Sequence, residues 1–503
     1  MHTMARQAVA HAVLVIVGTV CRPALADYVV NRLHYVDPDT GAVAAYTQLN
    51  SFNRHGQAVG LASFDIEQTN VFSFVYDPTS GNFARFPQPQ GFDGITTKAW
   101  GLSINDAGVI TGNTLEPTGS RGLIFADGLF TFFSHPSWAD TNGRSITNPT
   151  TGHPGGLIAG YLDDGLFDTP ESSVGFLYDP VTGSFFTLDQ TKSQVTLATD
   201  QNSSGQVVGS LFGDGVTQPL GQWAFVYNPA VRGDPMRGGR VDVFRLDGRQ
   251  TRARAINEQG AMALVVFRPR NASDPAISTY VGSGTSFQMI NVPTISGATC
   301  ADGSTTTVVF PLHLSNAGQV SGFLTDSACR QGAFMATPAV LPTGTIDGAA
   351  TFSASVSADA PLFISVPLAT AYDYAVGHRD SRFATVRLPL GFGNNKYILV
   401  IGHRAFAVNA GQVFDFRAHG FRKGVRAFRV ACIDPAAQLD PLNALAFPTE
   451  LTFTEPGTFT GTQRALSSLT GRDHDPATQT ECRELLLSLR HAGGPGDSDQ
   501  DED

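Results

Sequence analysis

Asn202-Ser-Ser-Gly205-Gln-Val-Val-Gly209 is the stretch that decides the fold, because its pattern returns about every fifty residues along the chain. The pattern is Asn-x-x-Gly-x-apolar-x-Gly, in which a turn precedes a short apolar strand. A period of this length indicates stacked supersecondary units. The other copies are Asn53-Arg-His-Gly56-Gln-Ala-Val-Gly60, Asn105-Asp-Ala-Gly108-Val-Ile-Thr-Gly112, and weaker ones at Gly155 to Gly160, at Asn257 to Gly260 and at Ser315-Asn-Ala-Gly318-Gln-Val-Ser-Gly322.

A second motif follows the first in each repeat. Examples are Phe74-Val-Tyr-Asp-Pro-Thr-Ser-Gly81 and Phe176-Leu-Tyr-Asp-Pro-Val-Thr-Gly183, in which an apolar strand runs into an Asp-Pro-x-x-Gly turn. Each unit therefore has four strands, A to D. Strands A and B flank the Asn-x-x-Gly turn, and strands C and D flank the Asp-Pro turn. Four-stranded units of this length in radial array predict an all-β protein with a β-propeller over residues 27–340.

The segment from Tyr28 to Asp37-Pro-Asp-Thr-Gly41 resembles the end of such a unit, but no Asn-x-x-Gly hairpin precedes it. A lone strand before the first full repeat can pair with the last repeat and close the ring. Counting the hairpins, we predict six blades, with seven as the alternative.

The first 26 residues have the three zones of a secretory signal peptide: Arg6, an apolar run from Ala8 to Val20, and the small-residue site Ala24-Leu25-Ala26. No later segment is long and apolar enough to cross a bilayer. We therefore expect a secreted or periplasmic protein with no transmembrane anchor in the mature chain. The formal net charge of −11 argues against nucleic-acid binding, which relies on a basic patch.

The repeat motif followed by Ala-Phe resembles the HAF repeat, a family of repeats in bacterial extracellular proteins. The resemblance covers residues 45–338, although Trp223 and Gly332 stand where the family has a histidine before Ala-Phe. It implies an exported, bacterial β-propeller-like protein of unassigned activity. It supplies no catalytic residues that could be transferred to this chain.

After the repeats the period is lost, and residues 343–466 show short alternating strands separated by Gly/Pro turns. Examples are Lys396-Tyr-Ile-Leu-Val-Ile and Leu451-Thr-Phe-Thr. This pattern predicts a C-terminal β-sandwich. Residues 467–503 are expected to form a short helix from Asp475 to Arg490 and an acidic disordered tail.

The mature chain would keep four cysteines: Cys300, Cys329, Cys432 and Cys482. Disulfides persist in exported proteins, and four cysteines allow three pairings. We favour Cys300–Cys329, because both lie in loops at the same end of the predicted blades, and hence Cys432–Cys482. Free thiols are the alternative.

In an up-and-down blade the A–B and C–D turns lie on one face, and the B–C and D–A loops lie on the other. The long irregular loops belong to the second face, so we expect the binding site there. The repeat Asn and Gly residues are expected to be structural turn residues: Asn53, Gly56, Gly60, Asn105, Gly108, Gly112, Asn202, Gly205, Gly209, Gly318 and Gly322.

Candidate ligand-binding residues on the loop face are Trp138, Asp163, Asp164, Asp168 and Asp214. Converging carboxylates could bind Ca²⁺, or act as an acid/base pair in glycan cleavage. Turn chemistry facing water also explains the aspartates and is the favoured interpretation. Trp138 could stack on a sugar, but packing within its loop is favoured. Ca²⁺ is the only cofactor that the sequence suggests, and histidines at metal-ligand spacing are absent.

No nucleophile elbow, zinc motif, phosphate loop or dinucleotide fingerprint occurs in the chain. The repeat without catalytic motifs predicts a non-catalytic binding or scaffold protein that presents the loop-rich face to a glycan or to an envelope or extracellular protein. The alternative is a propeller-fold hydrolase or lyase that acts on extracellular glycans.

Overall fold

The chain is all-β in the residues that its structure, a computed structural model, describes, as the sequence predicts. Among these residues the one helical element is a 3-10 turn at Leu246–Gly248, and no helix there has the length and apolar character needed to span a membrane. The described residues are 27–65, 67–77, 82–163, 173–188, 195–213, 221–267, 277–284, 286–290, 309–325, 331–339, 349–356, 362–364, 372–376, 382–388, 396–409, 412–431, 449–455 and 457–465.

Several predictions fall outside these residues. They are the signal peptide (1–26), the C-terminal helix and acidic tail (467–503), and all four cysteines assigned to disulfides. These remain predictions.

Most of the described strands up to residue 289 form antiparallel groups of four in which spatial order equals chain order. The short turns of the motifs make this order possible, since they join neighbouring antiparallel strands through five residues at the Asn-x-x-Gly turn of β2 and β3 and four between β12 and β13. Sheet 1 comprises β2 (Tyr46–Phe52), β3 (Ala58–Ser63), β4 (Phe72–Asp77) and β5 (Asn82–Arg85). Sheet 2 comprises β6 (Lys98–Ile104), β7 (Ile110–Leu115), β8 (Gly122–Ala126) and β9 (Leu129–Phe133), and sheet 3 comprises β10 (Asp140–Ile146), β11 (Ile158–Asp163), β12 (Val174–Asp179) and β13 (Ser184–Thr187). Sheet 4 comprises β14 (Val195–Gln201), β15 (Val207–Gly213), β16 (Gly221–Val231) and β17 (Asp234–Phe244), and sheet 5 comprises β18 (Thr251–Ile256), β19 (Met262–Phe267), β20 (Ile277–Ser283) and β21 (Ser286–Met289).

Sheet 6 combines the two ends of this region. It contains β22 (Val309–Leu314), β23 (Val320–Thr325) and β24 (Gln331–Ala339), and its outer strand is β1 (Asp27–Leu33). All seven residues of β1 pair with β24, so the predicted pairing of the early segment with the last repeat is confirmed. A single parallel bridge between Tyr46 and Gln331 joins sheet 6 to sheet 1.

Neighbouring sheets pack against one another in chain order. The second strand of one sheet contacts the first strand of the next at β3 and β6, β7 and β10, β11 and β14, β15 and β18, and β19 and β22. Strand β23 of sheet 6 then contacts β2 of sheet 1. Because the packing order returns to its starting point, the arrangement is β-propeller-like.

The first strand of every sheet carries a β-bulge at the same place, three residues before the turn asparagine or its equivalent. A bulge inserts one extra residue and bends the strand. We call the six extra residues the bulge level: Asn50, Leu102, Arg144, Thr199, Arg254 and Leu312.

The last glycine of the motif lies beside this bulge. A Cβ at Gly209 would lie 2.0 Å from the Leu197 carbonyl oxygen and 2.6 Å from the Phe225 ring. Gly60, Gly112, Gly160 and Gly322 face the same obstruction, while sheet 5 carries Leu264 at this position. The glycine therefore lets the second strand of its sheet approach the bulged strand closely.

The C-terminal strands form two further sheets that share one buried core, which contains Tyr374, Leu399 and Phe428 from the first sheet and Phe383 and Leu451 from the second. The six-stranded sheet has the order β25 (Ala349–Val356), β34 (Gly457–Ala465), β27 (Tyr372–Val376), β32 (Ala427–Ala431), β29 (Lys396–Ile401) and β30 (Arg404–Asn409); the four-stranded sheet has the order β26 (Leu362–Ile364), β33 (Thr449–Phe453), β28 (Phe383–Arg387) and β31 (Val413–Asp415).

Candidate functional site

A cavity of about 770 Å³ lies where the first strands of all six sheets reach their turns. We call it the turn cavity. Phe363, Arg387, Leu388 and Glu450 of the C-terminal sheets also line it. Its volume is within the range of small-molecule sites, and the ends of structural elements are common places for them.

Three turn asparagines, Asn53, Asn105 and Asn257, line the rim of this cavity. Oδ1 of Asn53 accepts the backbone N–H groups of His55 and Gln57 at 3.0 and 3.1 Å, which closes its own turn. Its Nδ2 donates to the backbone oxygen of Asn105 in the next sheet at 3.0 Å. Equivalent bonds between sheets run from Asn105 to Thr147, from Asn202 to Asn257 and from Asn257 to Ser315.

The residue after the asparagine makes a second link between sheets. The backbone N–H of Arg54 donates to Asp106, and that of Asp106 donates to Asn148. Ser203 donates in the same way to Glu258. The carboxylates of Asp106 and Glu258 are therefore held at the rim by backbone donors, which fixes where their charges lie.

In four of the six sheets the second residue before the turn lines the cavity and forms its floor: Ser103, Ser145, Asp200 and His313. Asp200 is buried, and both of its carboxylate oxygens are occupied. One accepts the Ser145 hydroxyl at 2.5 Å, and the other accepts the Ile256 N–H at 2.9 Å. Burial raises the pKa of Asp200 to about 6, because the charged form loses its hydration.

His313 is the other titratable group of the floor. Its ring packs edge-on against Phe52, with 4.8 Å between the centroids. Burial lowers the pKa of His313 to about 4. The imidazole is therefore neutral at neutral pH, and the floor carries no positive charge there.

A partly buried ion pair covers one side of the cavity. Arg387 lies 3.4 Å from Glu450, and its Nη2 donates to the backbone oxygen of Arg54 at 3.3 Å. Burial raises the pKa of Glu450, an effect that Arg387 opposes. These contacts connect the C-terminal sheets to the first turn of the repeats.

The candidates predicted from the sequence lie elsewhere or outside the described residues. Trp138 packs, partly buried, against the core shared by sheets 2 and 3. Asp163 is buried at the end of β11, where it accepts the Ser173 hydroxyl at 3.2 Å, so its interpretation as a turn aspartate that faces water is wrong. Neither lines the turn cavity. Asp164, Asp168 and Asp214 lie outside the described residues, so convergence of the aspartates stays a prediction.

The Ca²⁺ expectation also stays a prediction. Within the described part of the chain, no group of three His, Cys, Asp or Glu residues is placed to hold a metal ion. Most of the long loops assigned to the binding face fall in the gaps between the described ranges.

Two signals in the sequence could have indicated the turn cavity. The motif uses Asn rather than Asp at its first position, and only Asn supplies an N–H donor to the next sheet. The second residue before the turn is Ser51, Ser103 and Ser145 in three sheets, but Asp200 and His313 in two others. A titratable residue at an otherwise small, repeated position indicates a function specific to that repeat.

Comparison with protein families and with curated proteins finds no match to this chain. Among solved structures, an oligogalacturonate lyase from Vibrio parahaemolyticus is similar at 10% identity and a TM-score of 0.32, over 62% of this chain and 98% of that one. The β-propeller domain of the Trilobed protease from Pyrococcus furiosus aligns at 10% identity and a TM-score of 0.33, over 61% and 91%. An exo-β-1,3-galactanase from Phanerochaete chrysosporium aligns at 6% identity and a TM-score of 0.29, over 86% and 100%. Similarity at this level transfers no activity, substrate or partner.

Proposed function

We propose that this protein is a non-catalytic binding protein whose ligand, a short glycan, occupies the turn cavity. The observation that carries the proposal is the composition of the cavity wall. Hydroxyl and amide groups of Ser103, Asn148 and Gln201 alternate with the apolar side chains of Ile104 and Ile256. A few polar groups in an apolar wall are typical of small-ligand sites, and hydroxyl-rich ligands match amide partners.

Gln201 supports a ligand that donates hydrogen bonds. Its Nε2 donates to the Leu157 backbone oxygen at 2.6 Å, whereas its Oε1 is buried with no hydrogen-bond partner. A buried acceptor without a donor costs free energy. A sugar hydroxyl is a donor of the right kind.

The state of Asp200 and His313 favours binding over catalysis. A general acid or nucleophile needs an atom free to reach the reacting group. Both oxygens of Asp200 already accept protein hydrogen bonds, and His313 packs against Phe52. The floor therefore orients a ligand without presenting a free catalytic pair.

The proposal is tested with a glycan array, followed by calorimetry of the best ligands on the wild type and on Gln201→Leu. Loss of the Oε1 acceptor should weaken binding roughly tenfold. Gln206→Leu is the matched control, because Gln206 lies in the turn between β14 and β15, outside the cavity lining, and its side chain bonds Asn202 and Asn228. It should bind as the wild type does.

Other outcomes would contradict the proposal. Cleavage of an array glycan, detected as new reducing ends or unsaturated products, would favour the hydrolase or lyase alternative. Capture of an envelope protein without any glycan binding would assign a protein partner. Equal glycan affinity of the wild type and Gln201→Leu would indicate that the glycan does not bind in this cavity and that the loop-rich face is the place to look for the site.

We propose in addition that sheets 1 to 6 are the six blades of a propeller and that the C-terminal sheets form a β-sandwich. The return of the packing from sheet 6 to sheet 1 and the shared C-terminal core support this. A seventh sheet in a crystal structure would contradict the blade number. Export to the periplasm or medium, and the Cys300–Cys329 and Cys432–Cys482 disulfides, are proposals that cell fractionation and non-reducing mass mapping test.

A further inference from the structure

Three arginines lie together on the first strands of sheets 3 and 5. Arg144 and Arg254 are extra residues of the bulges, and Arg252 lies two residues before Arg254. A bulge changes the direction of its side chain relative to the rest of the strand. All three lie farther from the turns along their strands than the floor of the turn cavity does, and none of them lines that cavity.

Each guanidinium lies against an aromatic ring. Arg144 lies 5.0 Å from the ring centroid of Tyr161 and donates to its hydroxyl. Arg252 lies 5.1 Å from the Phe267 centroid and donates to Gln222. The planar face of each group is thus supported, while most of its N–H donors are left for another partner.

Of the three arginines, Arg254 has the fewest hydrogen-bond partners for its guanidinium group among the described residues. It lies 4.9 Å from the Phe310 ring centroid, and its Nε is buried without a hydrogen-bond partner. Within the described part of the chain, none of the three arginines forms an ion pair with a carboxylate. Asp200 is occupied by Ser145 and Ile256. Arg254 is partly buried, and the charge of nearby Asp200 offsets only part of the effect of the Arg144 and Arg252 charges on its pKa. A bound anion would supply the ion-pair partner that these arginines lack.

Two more unpartnered groups lie at or near the bulge level of other sheets. Nδ2 of Asn50, the bulge residue of sheet 1, and Nε1 of Trp100, two residues before the sheet 2 bulge residue, are buried without acceptors. Together with Nε of Arg254 they are all N–H donors. What this level lacks is therefore an acceptor, and a ligand that offers several oxygens would supply it.

The three arginines are close enough to interact. The pKa of Arg254 is lowered to about 9, first by burial and then by the charges of Arg144 and Arg252. Arg144 and Arg254 come from sheets that are not neighbours, since sheet 4 lies between them. They occupy equivalent bulge positions on the first strands of sheets 3 and 5, on either side of sheet 4.

We propose that the bulge level binds an oxyanion (a carboxylate, sulfate or phosphate group) between Arg144 and Arg254. Guanidinium groups pair with such groups through two parallel hydrogen bonds, and partial burial of the arginines strengthens that pairing. The site is separate from the turn cavity, and the inference does not depend on the glycan proposal.

The test titrates acetate, sulfate and phosphate separately into the full-length protein, with chloride used to hold the ionic strength constant. Calorimetry and thermal unfolding are recorded for the wild type, Arg254→Met and Arg144→Met. The wild type should bind at least one of these anions, and the melting temperature should rise with its concentration. Each variant should bind it roughly ten- to a hundredfold more weakly, because a charged hydrogen bond is lost.

Arg121→Met is the matched control. Arg121 also lies over an aromatic ring, at 4.4 Å from the Phe132 centroid, but it is paired with Glu116 at 2.8 Å. This variant should keep the anion affinity of the wild type. In chloride buffer without these oxyanions Arg254→Met should melt above the wild type, since it removes a partly buried charge that makes no ion pair.

Two results would overturn the inference. One is the absence of heat and of any melting shift for all three anions in the wild type, which would mean that water alone satisfies the donors. The other is an equal response of the wild type, Arg254→Met and Arg121→Met, which would place anion binding elsewhere. A response to sulfate or phosphate but not to acetate would identify the ligand of this site as a tetrahedral oxyanion. A response to acetate alone would identify it as a carboxylate.

Discussion

The repeat sheets and the C-terminal sheets bury apolar side chains in different ways. In sheets 1 to 6 the buried residues form separate clusters, and most of these clusters join neighbouring sheets. One contains Val208 and Ala224 of sheet 4 with Ile256 and Leu264 of sheet 5. The C-terminal sheets bury one large cluster.

This difference predicts how far the loss of one buried side chain lowers the stability of the surrounding strands. In a repeat architecture each unit depends on the interfaces with its neighbours, so damage stays local and spreads only through them. A single core is shared by every strand around it, so the loss of one large side chain affects the whole region. The predictions below test this contrast from the largest expected effect to the smallest.

The first prediction compares two buried phenylalanines. Phe416, in the C-terminal core, is 0% exposed, and Phe225, in the cluster of sheets 3 and 4, is 1% exposed. Replacement of either by alanine should cost about 3–5 kcal/mol of unfolding free energy at its site. Hydrogen exchange measured by mass spectrometry should show faster exchange throughout the C-terminal sheets for Phe416→Ala. For Phe225→Ala the change should be confined to sheet 4 and its neighbours.

Uniform acceleration of exchange across the chain in both variants would contradict the contrast. It would mean that the repeats and the C-terminal sheets unfold as one cooperative unit.

The second prediction concerns pH and the floor of the turn cavity. The pKa of His313 is about 4 in the folded protein, against an ordinary value of 6.5. Between these values the unfolded chain binds the proton and the folded chain does not, so stability falls as the pH is lowered through this window. The loss is on the order of 3 kcal/mol. His313→Gln should remove it, as measured by urea unfolding at a series of pH values.

Titration of Asp200 changes the stability in the opposite direction. Its folded pKa is about 6, above the ordinary 3.8, so the folded protein binds the proton first. Its contribution to the stability of the folded protein is present at low pH and is lost as the pH rises from 3.8 to about 6. Asp200→Asn should therefore make stability rise more steeply with pH than in the wild type. The same pH slope in both variants and the wild type would show that neither group titrates as assigned.

The third prediction concerns the glycine beside the bulge. Gly209→Ala places a Cβ 2.0 Å from the Leu197 carbonyl oxygen, so two strands must separate. We expect a loss of about 1–3 kcal/mol, the usual cost of overpacking. Gly152→Ala is the control, because the nearest atom to its Cβ would be 3.8 Å away. If the two variants unfold at the same denaturant concentration, the close approach does not constrain the repeat.

The smallest effect is expected for Asn53→Asp. The substitution keeps the oxygen that closes the turn and removes the donor to Asn105 in the next sheet. The expected cost is about 1 kcal/mol, visible as faster exchange at the interface of sheets 1 and 2. Asn70→Asp, at an exposed loop position, should change nothing measurable. Faster exchange in the C-terminal sheets alone would contradict the role of Asn53 between sheets.

The periodic features could be predicted from the sequence, and the features that differ between repeats could not. The Asn-x-x-Gly and Asp-Pro turns set the four-stranded unit and the place of β1 in sheet 6, because turn chemistry acts over a few residues. The turn cavity depends on residues that come together only after the sheets pack, such as Asp200 and His313. Its C-terminal side depends on Arg387, which lies far from the repeats in sequence and belongs to no motif.

The bulges were missed for a related reason. No residue type marks them, since the extra residue is Asn50 in one sheet and Arg254 in another. Only the glycine on the facing strand indicates a bulge. The prediction that Gly60, Gly112, Gly209 and Gly322 are turn residues is wrong, because these glycines lie within strands and their lack of a side chain serves the close approach of two strands. The donors left without acceptors at this level could be recognised only from the packed structure.

Strand β1 has a consequence for how the protein is made. Asp27 pairs with Ala339, so a ribosome adding about 5–20 residues per second completes the partner strand roughly 15–60 seconds after β1. During that interval β1 has no partner strand, because β24 has not been synthesised, and its unpaired backbone groups can bind other chains. A circular permutant that begins at β2 and carries β1 directly after β24 would make the two strands in succession. It should fold with a shorter aggregation-prone interval.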